Sequence, residues 1–211
     1  ARWLGVPVPV LVMALVIIAT LGTLYVLRGF SLSWTQTRAL NLPADTLPAL
    51  ISARWLGVPV PVLVIALVMV AAHITLTRTP YGRSLHAMGH NPEAARKAGL
   101  PVRRLLASVY LVSALGAVLG AVITLGQLGA VSPKFGETRE FQAIAAAVLG
   151  GTSLFGGRGK ILPGTLLGAL LIQTIENGLV ILDADPYLYP LVTSAIIFGA
   201  VLLDTTRARL A

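Results

Sequence analysis

Long apolar runs separated by short polar loops organise this chain. A helix that crosses a membrane needs about 20 consecutive apolar residues. Leu4 to Leu27 carries no charge. Trp55 to Thr77 is broken only by His73, which can be neutral. Leu105 to Pro133 is a third run, holding only Gln127 and a few hydroxyls. Ile161 to Leu182 is long enough but contains Glu176 and Asn177, and Pro186 to Leu203 closes the set. Phe141 to Gly157 is uncharged and barely long enough. Its run GGTSLFGG (150–157) is a poor helix former, so it reads either as a sixth span or as a re-entrant or broken helix. The pattern predicts an all-α, polytopic integral membrane bundle of about six segments, with 1–211 as a single transmembrane domain.

Composition narrows the class. Only 11% of residues are charged, against about 25% in soluble domains, and 56% are hydrophobic. The eight acids and sixteen bases cannot hydrate the outside of so apolar a soluble protein, and disorder needs low hydrophobicity. The absence of cysteine excludes disulfides, zinc-thiolate sites, Fe–S clusters and a thiol nucleophile.

The net charge of +8 suggests a polyanion partner until the bases are located. Arg78, Arg83, Arg96, Lys97, Arg103 and Arg104 share the loop 78–104 with Glu93 alone, so that loop is expected in the cytoplasm. Arg158 and Lys160 are expected on the same side, as are Arg207 and Arg209. The balanced loop with Lys134, Glu137, Arg139 and Glu140 is expected outside, together with Asp183 and Asp185. The alternation works if all six segments cross and both termini are cytoplasmic, which favours a crossing at 141–157. The loop 28–54 is the exception: it is expected outside yet holds Arg28, Arg38 and Arg54 against Asp45. Orientation and anionic lipid headgroups account for the bases. No basic face with interleaved aromatics is present, so no nucleic-acid partner is expected.

ARWLGVPVPVLV at 1–12 recurs unchanged at 53–64, and the likeness extends over 1–16 and 53–68 before it fades. Transporter repeats usually spread weakly over whole helices. Near-identity that stops abruptly favours a gene-assembly scar over a recent partial duplication.

The polar residues offer few chemical options. NPEAARKAG (91–99) reads as a short helix: Asn91 caps it, Pro92 takes the first position, Glu93 sits in the first turn and Gly99 ends it. It is either an ordinary capped surface helix or a docking element for a cytoplasmic partner. GGTSLFGGRGK (150–160) is not a phosphate loop, because Leu154 stands where the first glycine belongs and Ile161 follows the lysine. Glu176 either faces a protein interior or reaches the interface, and His73 reads as interfacial. Thr20, Thr23, Gln127 and Gln142 either bond a neighbouring helix or line a path. The histidines His73, His86 and His90 offer no nucleophile–base pair or metal cluster, so neither an enzyme, a metal nor a cofactor is expected.

The loop then becomes informative in another way. Thr79, Gly82, Arg83, Ala87, Gly89, Asn91, Glu93, Ala94, Ala95, Arg96 and Gly99 follow a T-x-x-G-R, A-x-G-x-N, E-A-A-R pattern. With FQAIAAAVLGGTSLFGGRGK (141–160), Asn177-Gly178 and ATLGTLYVLRGF (19–30), it resembles permease subunits of ribose-type ATP-binding-cassette importers. That sugar-handling family is related to branched-chain amino-acid permeases. The resemblance covers roughly 17–211. It implies a multi-pass protein of the bacterial inner membrane that forms a translocation path. Its implied partners are an ATP-binding subunit, a second permease copy or paralogue, a periplasmic solute-binding protein and membrane lipid. It also implies that Gly89, Asn91, Pro92, Glu93, Ala94, Ala95, Arg96 and Gly99 form the region that docks on the ATPase. The path-lining candidates are Thr20, Thr23, Gln142, Thr152, Ser153 and Asn177. Family members carry further spans before the T-L-G-T element, so a truncated or rearranged permease is expected. The alternatives are an amino-acid cargo or a non-transporting fragment.

Overall fold

The computed structural model describes the backbone of residues 2–3, 6–43, 45–55, 57–137, 139–153, 156–185 and 187–210. It describes their side chains apart from those of 2–14, 16, 17, 197, 201 and 203–210. Helices follow the apolar runs. In chain order they are α1 (Val8–Thr35), α2 (Leu47–Ser52), α3 (Val60–Arg78), α4 (Pro80–His90), α5 (Pro92–Lys97), α6 (Val102–Leu128), α7 (Arg139–Leu149), α8 (Leu166–Ile181) and α9 (Leu188–Leu210). Strands are confined to three short antiparallel pairings among the described residues. Among the described residues, three helical stretches are long and apolar enough to cross a membrane: Val60–Arg78, Val102–Leu128 and Ile161–Ile181. The side chains of Arg207 and Arg209, and residues Leu4, Leu154, Phe155 and Pro186 of the expected segments and loop, lie outside the described residues.

The segment 141–157 is not one continuous helix. α7 has 11 residues. At 1.5 Å per residue it is about 16 Å long, against roughly 30 Å of hydrocarbon. It ends where Gly151 takes a left-handed backbone (φ +85). A single π turn, Ile161–Thr165, then leads into α8, with Leu162 extended inside it.

The chain forms two compact units. The first comprises Ala1–Leu50 and Leu125–Phe135. It holds α1 and a pairing of Leu40–Asn41 with Ala130–Val131. The second comprises Ile51–Thr124 and Gly136–Ala211. Its core is small: Ala145, Ala146 and Ile172 are buried with Leu149 against them, where α7 packs on α8. Larger apolar side chains face outward, among them Leu67 at 71% and Val112 at 60% exposure. An outward leucine is costly in water and costs nothing in lipid, so this distribution fits a hydrocarbon solvent.

The sequence repeat folds alike in both copies. Arg2 pairs with Pro7 and Trp3 with Val6; in the second copy Arg54 pairs with Pro59 and Trp55 with Val58. A long helix follows each, at Val8 and at Val60. Thr23 donates to the Ala19 carbonyl at 2.7 Å, and its counterpart Thr75 donates to Ala71 at 2.8 Å.

Candidate functional site

The polar loop between α3 and α6 contains two helices, α4 and α5, rather than the one expected. The signal for α4 was present in Thr79-Pro80. The Thr79 side chain caps α4 by accepting from Gly82 N at 3.2 Å, and Pro80 opens it. α5 has the features expected of it. Asn91 Oδ1 accepts from Glu93 N at 3.1 Å and Ala94 N at 3.0 Å. Glu93 occupies the first turn and Arg96 and Lys97 the last, matching the helix dipole.

The end of α5 is a complete Schellman motif. Leu100 N donates to the Ala95 carbonyl at 3.1 Å and Gly99 N to Arg96 at 3.0 Å, with Gly99 left-handed (φ +82). Capping at both ends compensates for the shortness of α5, which an isolated six-residue helix could not overcome. Ala95 is buried, whereas Pro92, Glu93, Ala94, Arg96 and Lys97 are exposed. One side of α5 is therefore anchored and the other exposed. Replacing Asn91 by alanine removes both cap bonds and is expected to cost about 1 kcal/mol of local stability. Faster amide exchange at Glu93 and Ala94, with slow exchange retained within α3, would show it.

The α4–α5 turn meets the glycine loop that follows α7. His86 Nδ1 lies 3.1 Å from the Gly157 carbonyl oxygen. Gly89 and Gly157 approach so closely that a Cβ on Gly89 would lie 2.6 Å from Gly157 N. A Cβ on Gly157 would strike the His90 ring. Tyr81 Oη and Ser108 Oγ, 2.6 Å apart, tie α4 to α6. Ser108 donates to the Leu105 carbonyl, so Tyr81 is the donor. His86, His90 and Tyr81 were not expected at this site. The i, i+4 spacing of His86 and His90 around Gly89 was visible, but a partner 71 residues away from His86 carries no local signal.

The path candidates fall in different places. Thr20 and Thr23 are exposed on α1 in the first unit, and Thr23 bonds its own helix. Gln142, Thr152, Ser153 and Asn177 belong to the second unit. Gln142 Nε2 donates a short bond to Glu176 Oε1, and Arg139 Nη1 donates to Gln142 Oε1 at 2.8 Å. Glu176 is thus linked to a guanidinium through an amide, joining α7 to α8. Thr152 N donates to the Ala147 carbonyl and Ser153 N to Arg158, so both belong to the glycine loop. Asn177 accepts from Gln173 within α8 and is exposed. His73 is half-buried in α3. Its Nδ1 is enclosed with no hydrogen-bond partner among the described residues. No group of metal-ligating side chains occurs among the described residues.

Outward-facing apolar helices mark the chain as a membrane protein, and in it a capped polar helix, α4, is tied to the connection between α7 and α8. Known proteins agree on the class. The family described as "Branched-chain amino acid transport system / permease component" matches residues 2–203, and the chain belongs to it. It is a helical, multi-pass membrane protein of that family. The chain is 40% identical over 194 residues to a ribose import permease protein of Bacillus subtilis (strain 168), covering 90% of this chain and 60% of that one. Its counterpart in Escherichia coli (strain K12) is 38% identical over 194 residues, with the same two shares. A xylose transport system permease protein of Escherichia coli (strain K12) is 36% identical over 179 residues, or 82% of this chain and 45% of that one. The chain thus spans 60% or less of the length of these curated relatives. No solved structure matches it.

Proposed function

We propose that the chain is the permease subunit of an ATP-driven importer for a sugar or similar small polar solute. It forms part of the translocation path and takes its power stroke from a separate ATP-binding subunit. The sugar assignment is supported by the chain's likeness to ribose and xylose permeases. A second permease copy or paralogue, a solute-binding protein and the inner membrane complete the assembly. The loop carrying α4 and α5 lies in the cytoplasm. Residues 1–211 act as one transmembrane permease domain, and the chain carries out no covalent chemistry.

The observation that carries the coupling role is the backbone contact between Gly89 and the Gly156–Gly157 loop, reinforced by His86. Displacement of α5 by a docked ATPase reaches α4, then this loop, and then α7 and α8 on either side of it. Close-packed backbone transmits such movement because no flexible side chain intervenes to absorb it. Gly89, Asn91, Pro92, Glu93, Ala94, Ala95, Arg96 and Gly99 form the docking and coupling region. Thr20, Thr23, Gln142, Thr152, Ser153 and Asn177 are the path candidates. The test is uptake into vesicles holding the chain with an ATP-binding subunit and a solute-binding protein of a ribose or xylose importer. ATP-dependent accumulation of labelled ribose or xylose is expected. Accumulation of leucine instead would move the chain to the amino-acid branch, the cargo named in the family's description.

A further inference from the structure

We infer that the cleft between α5 and the start of α6 is a binding site for the phosphate headgroup of an anionic membrane lipid. The cleft, about 650 Å³ and open to one side, is lined by Arg96, Pro101, Val102, Arg103 and Arg104. Three arginines from two helices line one concavity, and no carboxylate is among its lining residues. All three arginines are exposed. Arginine offers a planar fork that matches a phosphate in two parallel bonds, which a compact ammonium cannot do.

The position of the cleft along α6 points to lipid rather than to a free anion. α6 has 27 residues, and Arg103 and Arg104 in its first turn are its sole charges. At 1.5 Å per residue it exceeds the roughly 30 Å hydrocarbon core by about 10 Å. The excess belongs at the charged end, which places both guanidinium groups at headgroup depth. Arg103, Leu106 and Tyr110 share one face at i, i+3 and i+7, and Leu106 and Tyr110 are exposed at 49% and 68%. Side chains on a helix lean toward its N-terminus, so Arg103 leans away from the apolar stripe, toward the headgroups. A guanidinium cluster above an apolar stripe has the profile of a phospholipid, phosphate above and acyl chain below.

The test uses the purified full chain in phosphatidylcholine nanodiscs, titrated with spin-labelled phosphatidylglycerol and read as the immobilised fraction. No ATPase or solute is present, so the result does not depend on the transport reading. Arg103→Gln/Arg104→Gln is compared with Arg78→Gln/Arg83→Gln, which removes the same charge elsewhere in the loop. Wild type is expected to immobilise phosphatidylglycerol in preference to spin-labelled phosphatidylcholine. The first pair weakens this roughly thirtyfold, the equivalent of two basic side chains at a membrane surface, and the second pair leaves it within about threefold. An unchanged boundary fraction of spin-labelled phosphatidylcholine verifies insertion of both variants. Equal losses in the two pairs, or no preference in wild type, would overturn the site. Displacement of the labelled lipid by millimolar inorganic phosphate would overturn its assignment to a lipid.

Discussion

Gly89→Val is expected to lower ATP-driven uptake by about tenfold or more while the protein still inserts and still binds its ATPase. A Cβ at this position would lie 2.6 Å from Gly157 N and 3.0 Å from Gly157 Cα. Those atoms are backbone and cannot swing aside, so the glycine loop must shift bodily. The shift also breaks the contact between His86 Nδ1 and the Gly157 carbonyl oxygen. The caps of α5 lie outside the contact: Asn91 retains Glu93 N and Ala94 N, and Gly99 retains the Arg96 carbonyl. Docking is therefore preserved while transmission is lost. Vesicles carrying the assembled variant should hydrolyse ATP without accumulating solute. Normal uptake by this variant would show that the contact transmits nothing.

Gly168→Val is expected to act on folding itself. The Cβ would run into the carbonyl oxygen of Ala146 and lie 2.8 Å from Gly150 N. Gly168 sits in the first turn of α8, facing the Ala145, Ala146 and Ile172 cluster that makes the core between α7 and α8. Small residues permit this approach, and close packing rather than a hydrophobic force holds helices together in lipid. Overpacking of this kind costs about 1–3 kcal/mol, which should lower the thermal midpoint in detergent by roughly 2–12 °C. Gly178→Ala is the matched control on the same helix, because nothing lies within 4 Å of its added Cβ. Alanine favours a helix over glycine, so the control should hold or raise the midpoint, and an equal loss in it would contradict the packing account.

Much of the architecture was legible in the chain because its signals are local. Apolar runs located α1, α3, α6, α8 and α9. Asn91, Pro92, Glu93 and Gly99 specified α5 from cap to cap, since each acts within four residues of its own position. α4 was missed as a helix although Thr79-Pro80 announced it, because its glycines and histidines read as loop residues. The charge alternation favoured a crossing at 141–157, but net charge carries no information about helix length, and Gly151 ends α7 after three turns. The joints between elements were the least legible. The pairing of His86 with Gly157 and of Gln142 with Glu176 joins residues 71 and 34 positions apart, and only the folded chain brings them together.

The central claim is that the exposed side of α5 receives an ATP-binding subunit, and Glu93 and Arg96 test it most directly. Both side chains are exposed, so Glu93→Gln/Arg96→Gln leaves the buried Ala95 anchor and both caps in place. The measurement is the amount of ATP-binding subunit that co-purifies with a tagged chain, against the amount of chain found in the membrane. Wild type should retain the subunit, and the double variant should lose about nine-tenths of it at unchanged membrane content, as expected when charged contacts at a docking surface are removed. Equal recovery of the subunit with both proteins, together with normal uptake, would contradict the account.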